Sequence, residues 1–219
     1  MKRVSALALM TVLANVAICA PFTNGSFEGG PASFQFNIPA GSTVIAGWTV
    51  SVGNVDWEGV LPLGWQSSNG VNSLDLVGNS GIGGVQQTFD TVPGQTYLVS
   101  FDLAGNTGAP PIVKPLAVTV NGVTQNFTFD TTGKSGSNMG WVTHTLTFTA
   151  SGTSSTINFV SDVTPSGGTL NAGAALDNVQ VTPVASAPST LAIPLTWAQL
   201  GAAMLLVLTG LVFLARRRG

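Results

Sequence analysis

Hydrophobic and polar residues alternate along short stretches of this chain. In residues 94–105 every second residue is large and apolar, namely Tyr97, Val99, Phe101 and Leu103. Residues 141–150 show the same alternation, with apolar side chains and His144 on one side and mainly threonines on the other. A period of two places successive side chains on opposite faces of an extended backbone. Both stretches are therefore predicted to be half-buried β-strands.

Further segments have the character of strands and are separated by turns rich in glycine, proline and asparagine. They cover residues 47–57, 72–78, 83–92, 116–130, 155–162 and 174–184. Residues 116–130 form two alternating runs around Asn121-Gly122, a dipeptide that strongly indicates a β-hairpin. No convincing helical period occurs between these segments. The pattern predicts an all-β fold, an antiparallel β-sandwich of about eight or nine short strands.

Both ends of the chain are apolar and basic. Residues 1–20 resemble a secretory signal peptide, because Lys2 and Arg3 precede an apolar run that ends in small residues. This arrangement predicts export of the remainder of the chain. Two alternatives stay open, a lipid anchor on Cys19 and an N-terminal helix that is retained.

The C-terminal end is predicted to cross a membrane. Residues 195–215 contain no charge over 21 positions and are followed by Arg216, Arg217 and Arg218. An apolar stretch of about 20 residues spans a bilayer as a helix, and adjacent arginines favour the cytoplasmic side. Residues 185–192 are predicted to be a flexible linker. The folded domain is thus expected to cover residues 22–184, outside the cytoplasm.

The charges in the body of the chain are few and mostly negative. Charged residues make up 7% of the sequence, yet eleven Phe and five Trp argue for a packed core and against disorder. All nine acidic residues lie between Glu28 and Asp177, where the only basic residues are Lys114 and Lys134. Binding to nucleic acid needs a basic face, so we expect no nucleic-acid partner.

The composition also argues against an enzyme. His144 is the only histidine and Cys19 the only cysteine, which leaves too few residues for a nucleophilic triad or a zinc site. Asp56 and Glu58 share one face of a predicted strand and lack the opposed geometry of glycosidase carboxylates. We therefore predict a protein without catalytic activity.

The order of short motifs in the body resembles the choice-of-anchor C family and the related DUF642 proteins. The motifs are NGSFE at residues 24–28, GWTV at 47–50, NGVNSLDLVG at 69–78, GGVQQTFDTVPGQTYLVSFDLAGN at 83–106 and AALDNVQV at 174–181. The resemblance implies a galactose-binding-like jelly roll, which is the architecture of many carbohydrate-binding modules. It also implies an interchangeable anchoring signal at the C-terminus.

The C-terminal segment, residues 193–219, resembles bacterial sorting signals of the IPTL type. Ile193, Pro194 and Trp197 match that motif, although two residues are missing between the proline and the tryptophan. The Arg216–Arg218 cluster completes the pattern. The resemblance implies an exosortase-like transpeptidase as a partner, which would cleave the chain and re-attach it at the cell envelope. A plain membrane anchor is the alternative.

The resemblance further implies a structural Ca²⁺ site. Similar carbohydrate-binding modules hold calcium with one acid after an N-terminal Asn-x-x-Phe-Glu motif and another in the closing strand, and Glu28 and Asp177 match those positions. Asn24 is a third candidate ligand. Such oxygen ligands suit calcium, which would join the first strand, opened by Glu28, to the last strand, near whose start Asp177 lies. The alternative is that these side chains cap turns or face solvent.

Tryptophans beside acidic residues suggest a sugar-binding surface. Trp57 and Trp65 lie near Asp56 and Glu58, and an aromatic face can stack on a sugar while carboxylates accept its hydroxyl protons. Packing in the core is the alternative, especially for Trp65. The leading hypothesis is an exported, envelope-anchored module that binds a polysaccharide or another surface polymer. The alternative is a structural surface or matrix protein without a specific ligand.

Overall fold

The computed structural model describes residues 20–59, 64–166 and 172–185. Ten β-strands and one short 3-10 helix form the described part. The strands are β1 (Gln35–Pro39), β2 (Thr49–Gly59), β3 (Asn72–Asp75), β4 (Ile82–Asp90), β5 (Thr96–Gly105), β6 (Val113–Val120), β7 (Val123–Asp130), β8 (Val142–Thr149), β9 (Ser154–Asp162) and β10 (Ala174–Pro183), and the 3-10 helix covers Thr164–Ser166. The prediction of an all-β fold is confirmed.

The strands form one antiparallel sheet that curls into two facing halves. The order of the strands is β7-β6-β9-β4-β2-β3-β10-β5-β8, and β1 pairs with β2 beside this path. Strand β2 belongs to both halves, because residues 49–53 pair with β4 and residues 56–59 pair with β3. One side of the molecule is therefore closed by a continuous strand, and the end strands β7 and β8 lie on the other.

The predicted hairpin is confirmed. Asn121 and Gly122 have φ angles of 48° and 84°, and Val120 pairs with Val123 across them. Positive φ at both central residues is the conformation of a two-residue type I′ turn, which asparagine and glycine adopt most easily. The turn fixes the register of β6 on β7, so that both strands turn alternate residues towards the facing half of the sheet.

Aromatic side chains fill the space between the two halves. The ring of Phe159 on β9 lies 6.1 Å from Trp48 and 5.4 Å from Phe101 on β5, measured between ring centroids. Phe101 also meets Phe127 of β7 edge to face at 5.1 Å. Burial of such rings supplies much of the hydrophobic free energy of a domain. The core therefore depends on residues from both halves.

The first strand does not begin at Glu28, as predicted, but at Gln35. Asn24 and Phe27 have φ angles of 51° and 55°, which breaks an extended conformation just before Glu28. This N-terminal segment instead lies against the last strand, where the Val179 amide donates to the Gly25 carbonyl at 2.8 Å. Asp177 lies within β10 and not at its start.

The chain divides into two compact units, Met1–Val184 and Ala185–Gly219. The strands described above belong to the first unit. No helix among the described residues is long and apolar enough to cross a membrane. Residues 1–19 of the predicted signal peptide and residues 186–219, which include Ile193, Pro194, Trp197 and Arg216–Arg218, lie outside the described residues.

Candidate functional site

The two tryptophans predicted to bind sugar lie in the core. Trp57 is 6% exposed, and its indole N–H donates to the carbonyl of Phe27 at 2.9 Å. A Cβ on Gly30 would lie 2.6 Å from the same indole, so the backbone covers the ring closely. Trp65 is 9% exposed. Neither ring exposes a face to solvent. Their contact with a sugar stays a prediction, and their burial argues against it.

The two predicted acidic partners, Asp56 and Glu58, are buried on β2, together with Asp75 on β3. Asp56 lies opposite Asp75 in the register of the two strands, and Glu58 lies opposite Ser73. We call Asp56, Glu58 and Asp75 the acid ladder. Asp75 is fully buried, and its carboxylate accepts hydrogen bonds from the Val77 amide at 2.9 Å and from Asn106 Nδ2 at 2.7 Å.

Burial raises the pKa of every member of the acid ladder, because a low dielectric disfavours the charged carboxylate. The pKa of Asp56 rises to about 6 and that of Asp75 to about 7. Burial, with repulsion from Asp75 and Asp56, raises the pKa of Glu58 to about 8. Glu58 Oε2 and Ser73 Oγ are buried without a hydrogen-bond partner. At neutral pH Glu58 is therefore mostly protonated, and the burial of all three side chains keeps them from contact with a sugar.

Lys114 on β6 is the buried cation nearest to this ladder. Burial lowers its pKa to about 8, and attraction to Asp75 opposes that effect. Its ammonium group donates to the carbonyl of Ala109 at 2.7 Å. The lysine therefore anchors the loop before β6 from inside the fold.

Two of the three predicted calcium ligands, Asp177 and Glu28, bind one loop, residues 68–72, which we call the clamp loop. Asp177 is fully buried and accepts the amides of Ser68 and Asn69, each at 2.8 Å. Glu28 is exposed and accepts the amides of Val71 and Asn72 at 2.8 and 2.9 Å. Burial raises the pKa of Asp177 to about 7, although its backbone donors oppose the rise.

Asn24, the third candidate, is occupied elsewhere. Its Oδ1 accepts the Gly29 amide at 2.8 Å, and its Nδ2 donates to the carbonyls of Gly29 and Ala46, both at 2.8 Å. Among the described residues, no group of three or more His, Cys, Asp or Glu side chains is placed to hold a metal ion. The three predicted ligands, as arranged, do not fit a calcium ion, and calcium binding stays a prediction that this geometry does not support.

A cleft opens between the two halves of the sheet on the side of β7 and β8. It has a volume of about 350 Å³ and lies between the tip of the β6–β7 hairpin and the end of β8. The apolar lining is Val118, Val120, Val123, Leu146 and Phe148, and the polar lining is Asn121, Gln125, Thr147, Thr149 and Ser151. No charged side chain lines the cleft. Phe148 is half-buried and stacks on Tyr97, with centroids 5.4 Å apart and planes at 14°.

Sequence reasoning missed this cleft. The alternation of β8 does place Leu146 and Phe148 on one side, and the Asn121-Gly122 turn does predict where the hairpin ends. Each of these two elements could therefore be predicted separately, but not their position relative to each other. The cleft exists only because β7 and β8, from opposite halves, approach each other without pairing along their length.

A family model covers most of the chain. The family described as a protein of unknown function (DUF642) matches residues 20–182. Among curated proteins, halomucin from Haloquadratum walsbyi is 31% identical over 170 residues, which is 72% of this chain and 2% of that protein. The chain thus spans about 2% of the length of this relative.

Several solved structures are similar to the chain at low sequence identity. The carbohydrate-binding module TmCBM61, solved with β-1,4-galactotriose, has a TM-score of 0.47 and 14% identity, and the match covers 75% of this chain and 99% of that one. A family 35 carbohydrate-binding module from Clostridium thermocellum has a TM-score of 0.45 and 17% identity, covering 70% and 100% of the two chains.

Proposed function

The chain belongs to the family described as a protein of unknown function (DUF642), and from that premise we propose that its folded domain binds an uncharged carbohydrate without catalysing a reaction. The observation that carries the proposal is the cleft between β6–β7 and β8. Its size lies within the range of small-molecule sites, and it combines apolar side chains with a few amide and hydroxyl groups. A neutral sugar presents the same mixture, because its ring carries apolar C–H faces and polar hydroxyls.

The described residues favour binding over catalysis. The carboxylates of the acid ladder are at most 4% exposed and do not line the cleft. The cleft itself contains no carboxylate, histidine or lysine that could donate or accept a proton during hydrolysis. Its polar groups can hydrogen-bond to hydroxyls, while Phe148 and Leu146 offer apolar contact.

A glycan-binding measurement on the full chain tests this proposal. We expect retention on a neutral polysaccharide, and a Gln125→Ala variant should bind roughly 5–10-fold more weakly because one exposed amide of the cleft is lost. Gln35→Ala removes an exposed glutamine of β1 outside the cleft and should bind as the wild type does. Failure of every glycan to be retained would favour a structural protein of the surface or matrix.

We also propose that the domain acts outside the cytoplasm, tethered to the cell envelope. Support comes from the sequence of residues 1–20, which resembles a signal peptide, and from the uncharged run 195–215 with its arginine cluster. The motif at residues 193–197 supports processing by an exosortase-like enzyme, as in choice-of-anchor proteins. Mass spectrometry of the mature protein tests both ends, since an intact Arg216–Arg218 terminus would contradict cleavage.

A further inference from the structure

The clamp loop is held at both ends by carboxylates from distant parts of the chain. Asp177 on β10 binds the amides of Ser68 and Asn69 through Oδ2, and its Oδ1 accepts the Asn178 amide at 2.6 Å. Glu28, in the N-terminal segment, binds the amides of Val71 and Asn72 through Oε1. Its Oε2 accepts Asn72 Nδ2 at 2.9 Å. All four carboxylate oxygens thus accept N–H donors.

Amide N–H groups bind the carboxylates of Glu28 and Asp177, as a cation would in a metal site. A calcium ion needs six to eight oxygen ligands that point at a common centre. Here the groups that point at the carboxylates are amide N–H groups, whose hydrogens carry partial positive charge. Glu28 and Asp177 also contact different parts of the loop, residues 71–72 and residues 68–69. The loop lies between the two carboxylates, and both accept hydrogen bonds from its backbone amides.

A third acid also binds the same loop. Asp102 on β5 lies opposite Asp177 in the strand register and is 5% exposed. Its carboxylate accepts hydrogen bonds from the hydroxyl of Ser68, from Thr143 Oγ1 at 2.6 Å and from Asn178 Nδ2 at 3.0 Å. The N-terminal half of the clamp loop is therefore bound to two strands of the sheet without a metal.

We propose that the clamp loop takes the place of a structural cation and joins the N-terminal segment to the last strand in a calcium-independent way. The loop connects Glu28, which follows the turn docked on β10, to Asp177 on β10 itself. Backbone amides that donate to an ionised carboxylate form charge-assisted hydrogen bonds, which are stronger than neutral ones. The N-terminal segment and β10 therefore stay joined in a medium without divalent cations.

Gly70 makes the arrangement testable. Its φ is +72°, and a Cβ at this position would lie 2.3 Å from Glu28 Oε1. An alanine here forces the carboxylate away from its donors. Gly133 has the same φ of +72°, but nothing lies within 4 Å of its Cβ position. Gly133→Ala therefore reproduces the backbone strain of Gly70→Ala without touching the clamp.

The test is thermal unfolding of the purified full chain, followed by tryptophan fluorescence, in millimolar calcium and in excess EGTA. We expect the same Tm for the wild type in both media. Glu28→Gln and Gly70→Ala should lower Tm by roughly 2–4 °C in both media, and Gly133→Ala should lower it clearly less.

Two results would overturn the proposal. One is a wild-type Tm that falls in EGTA, together with loss of that fall in Glu28→Gln, which would show a calcium ion held by Glu28. The other is a Gly70→Ala variant as stable as Gly133→Ala, which would show that the clamp does not stabilise the fold.

Discussion

Glu58 and Trp57 are both buried on β2, although their side chains point to opposite faces of the sheet. Trp57 lies beneath Gly30 and belongs to the hydrophobic core. Glu58 shares its face with Asp56 and Ser73, and its Oε2 has no hydrogen-bond donor. A buried carboxyl group without donors is more stable when protonated. Burial without a donor to Oε2, together with repulsion from Asp75 and Asp56, therefore gives Glu58 the highest pKa of the acid ladder.

We expect the domain to lose stability as the pH rises from about 4 to about 8. The unfolded state releases its carboxyl protons at about pH 4, whereas the folded state releases them only at about 6 from Asp56, at about 7 from Asp75 and Asp177, and at about 8 from Glu58, which are their raised pKa values. The unfolded state then binds fewer protons than the folded state, so the free energy of unfolding falls with pH. Glu58→Gln removes the largest of these contributions. It should raise the free energy of unfolding above pH 8 by roughly 1–3 kcal/mol relative to wild type.

Urea unfolding at a series of pH values measures this effect. Asp90→Asn, at the exposed end of β4, is the control and should keep the pH dependence of the wild type. A Glu58→Gln variant whose stability depends on pH as steeply as that of the wild type would contradict the assignment.

At the scale of single elements, the β6–β7 hairpin combines a backbone requirement with side-chain contacts. Asn121 has a φ of 48°, a conformation that glycine and asparagine adopt more easily than alanine. Its Nδ2 donates to Ser155 Oγ at 3.0 Å, and its Oδ1 accepts the Thr156 amide at 3.2 Å. The residue thus fixes the turn and also ties it to β9, beside the opening of the cleft.

Two substitutions separate these roles. Asn121→Gly removes the side-chain hydrogen bonds but keeps the left-handed conformation, whereas Asn121→Ala removes both. We expect alanine to be less stable than glycine by about 1 kcal/mol, because only alanine strains the turn. Chemical denaturation measures both variants. A glycine variant that is less stable than the alanine variant would show that chain entropy outweighs the strain.

At the scale of the whole molecule, most of the acidic residues lie inside. Five of the nine acidic residues are buried, namely Asp56, Glu58, Asp75, Asp102 and Asp177. The cleft contains no charge either. The described surface is therefore far less acidic than the sequence indicates.

This distribution predicts that glycan binding by the full chain is insensitive to salt. Screening weakens interactions between exposed charges, and the cleft offers none. The Kd for a retained neutral polysaccharide should change less than about twofold between low salt and 1 M NaCl, where the Debye length falls to roughly 3 Å. A Kd that rises steeply with ionic strength would place the binding surface outside the cleft.

Much of the fold could be predicted from the sequence, because strands and tight turns follow from local patterns. The alternation in β5 and β8 and the Asn121-Gly122 turn are examples. Strand β1 was missed, since it is short and pairs irregularly with β2. The site was harder, because burial depends on residues far apart in sequence. Glu28 and Asp177 were paired as calcium ligands, and the loop at residues 68–72 that lies between them was not foreseen.

Strand β2 pairs with both halves of the sheet, so its hydrogen bonds fix their spacing on one side. The cleft is open on the opposite side, where the end strands β7 and β8 do not pair with each other. A bound sugar chain would have to match the width of this opening. The distant strand β2, by fixing that width, would then help to select which sugar chain fits.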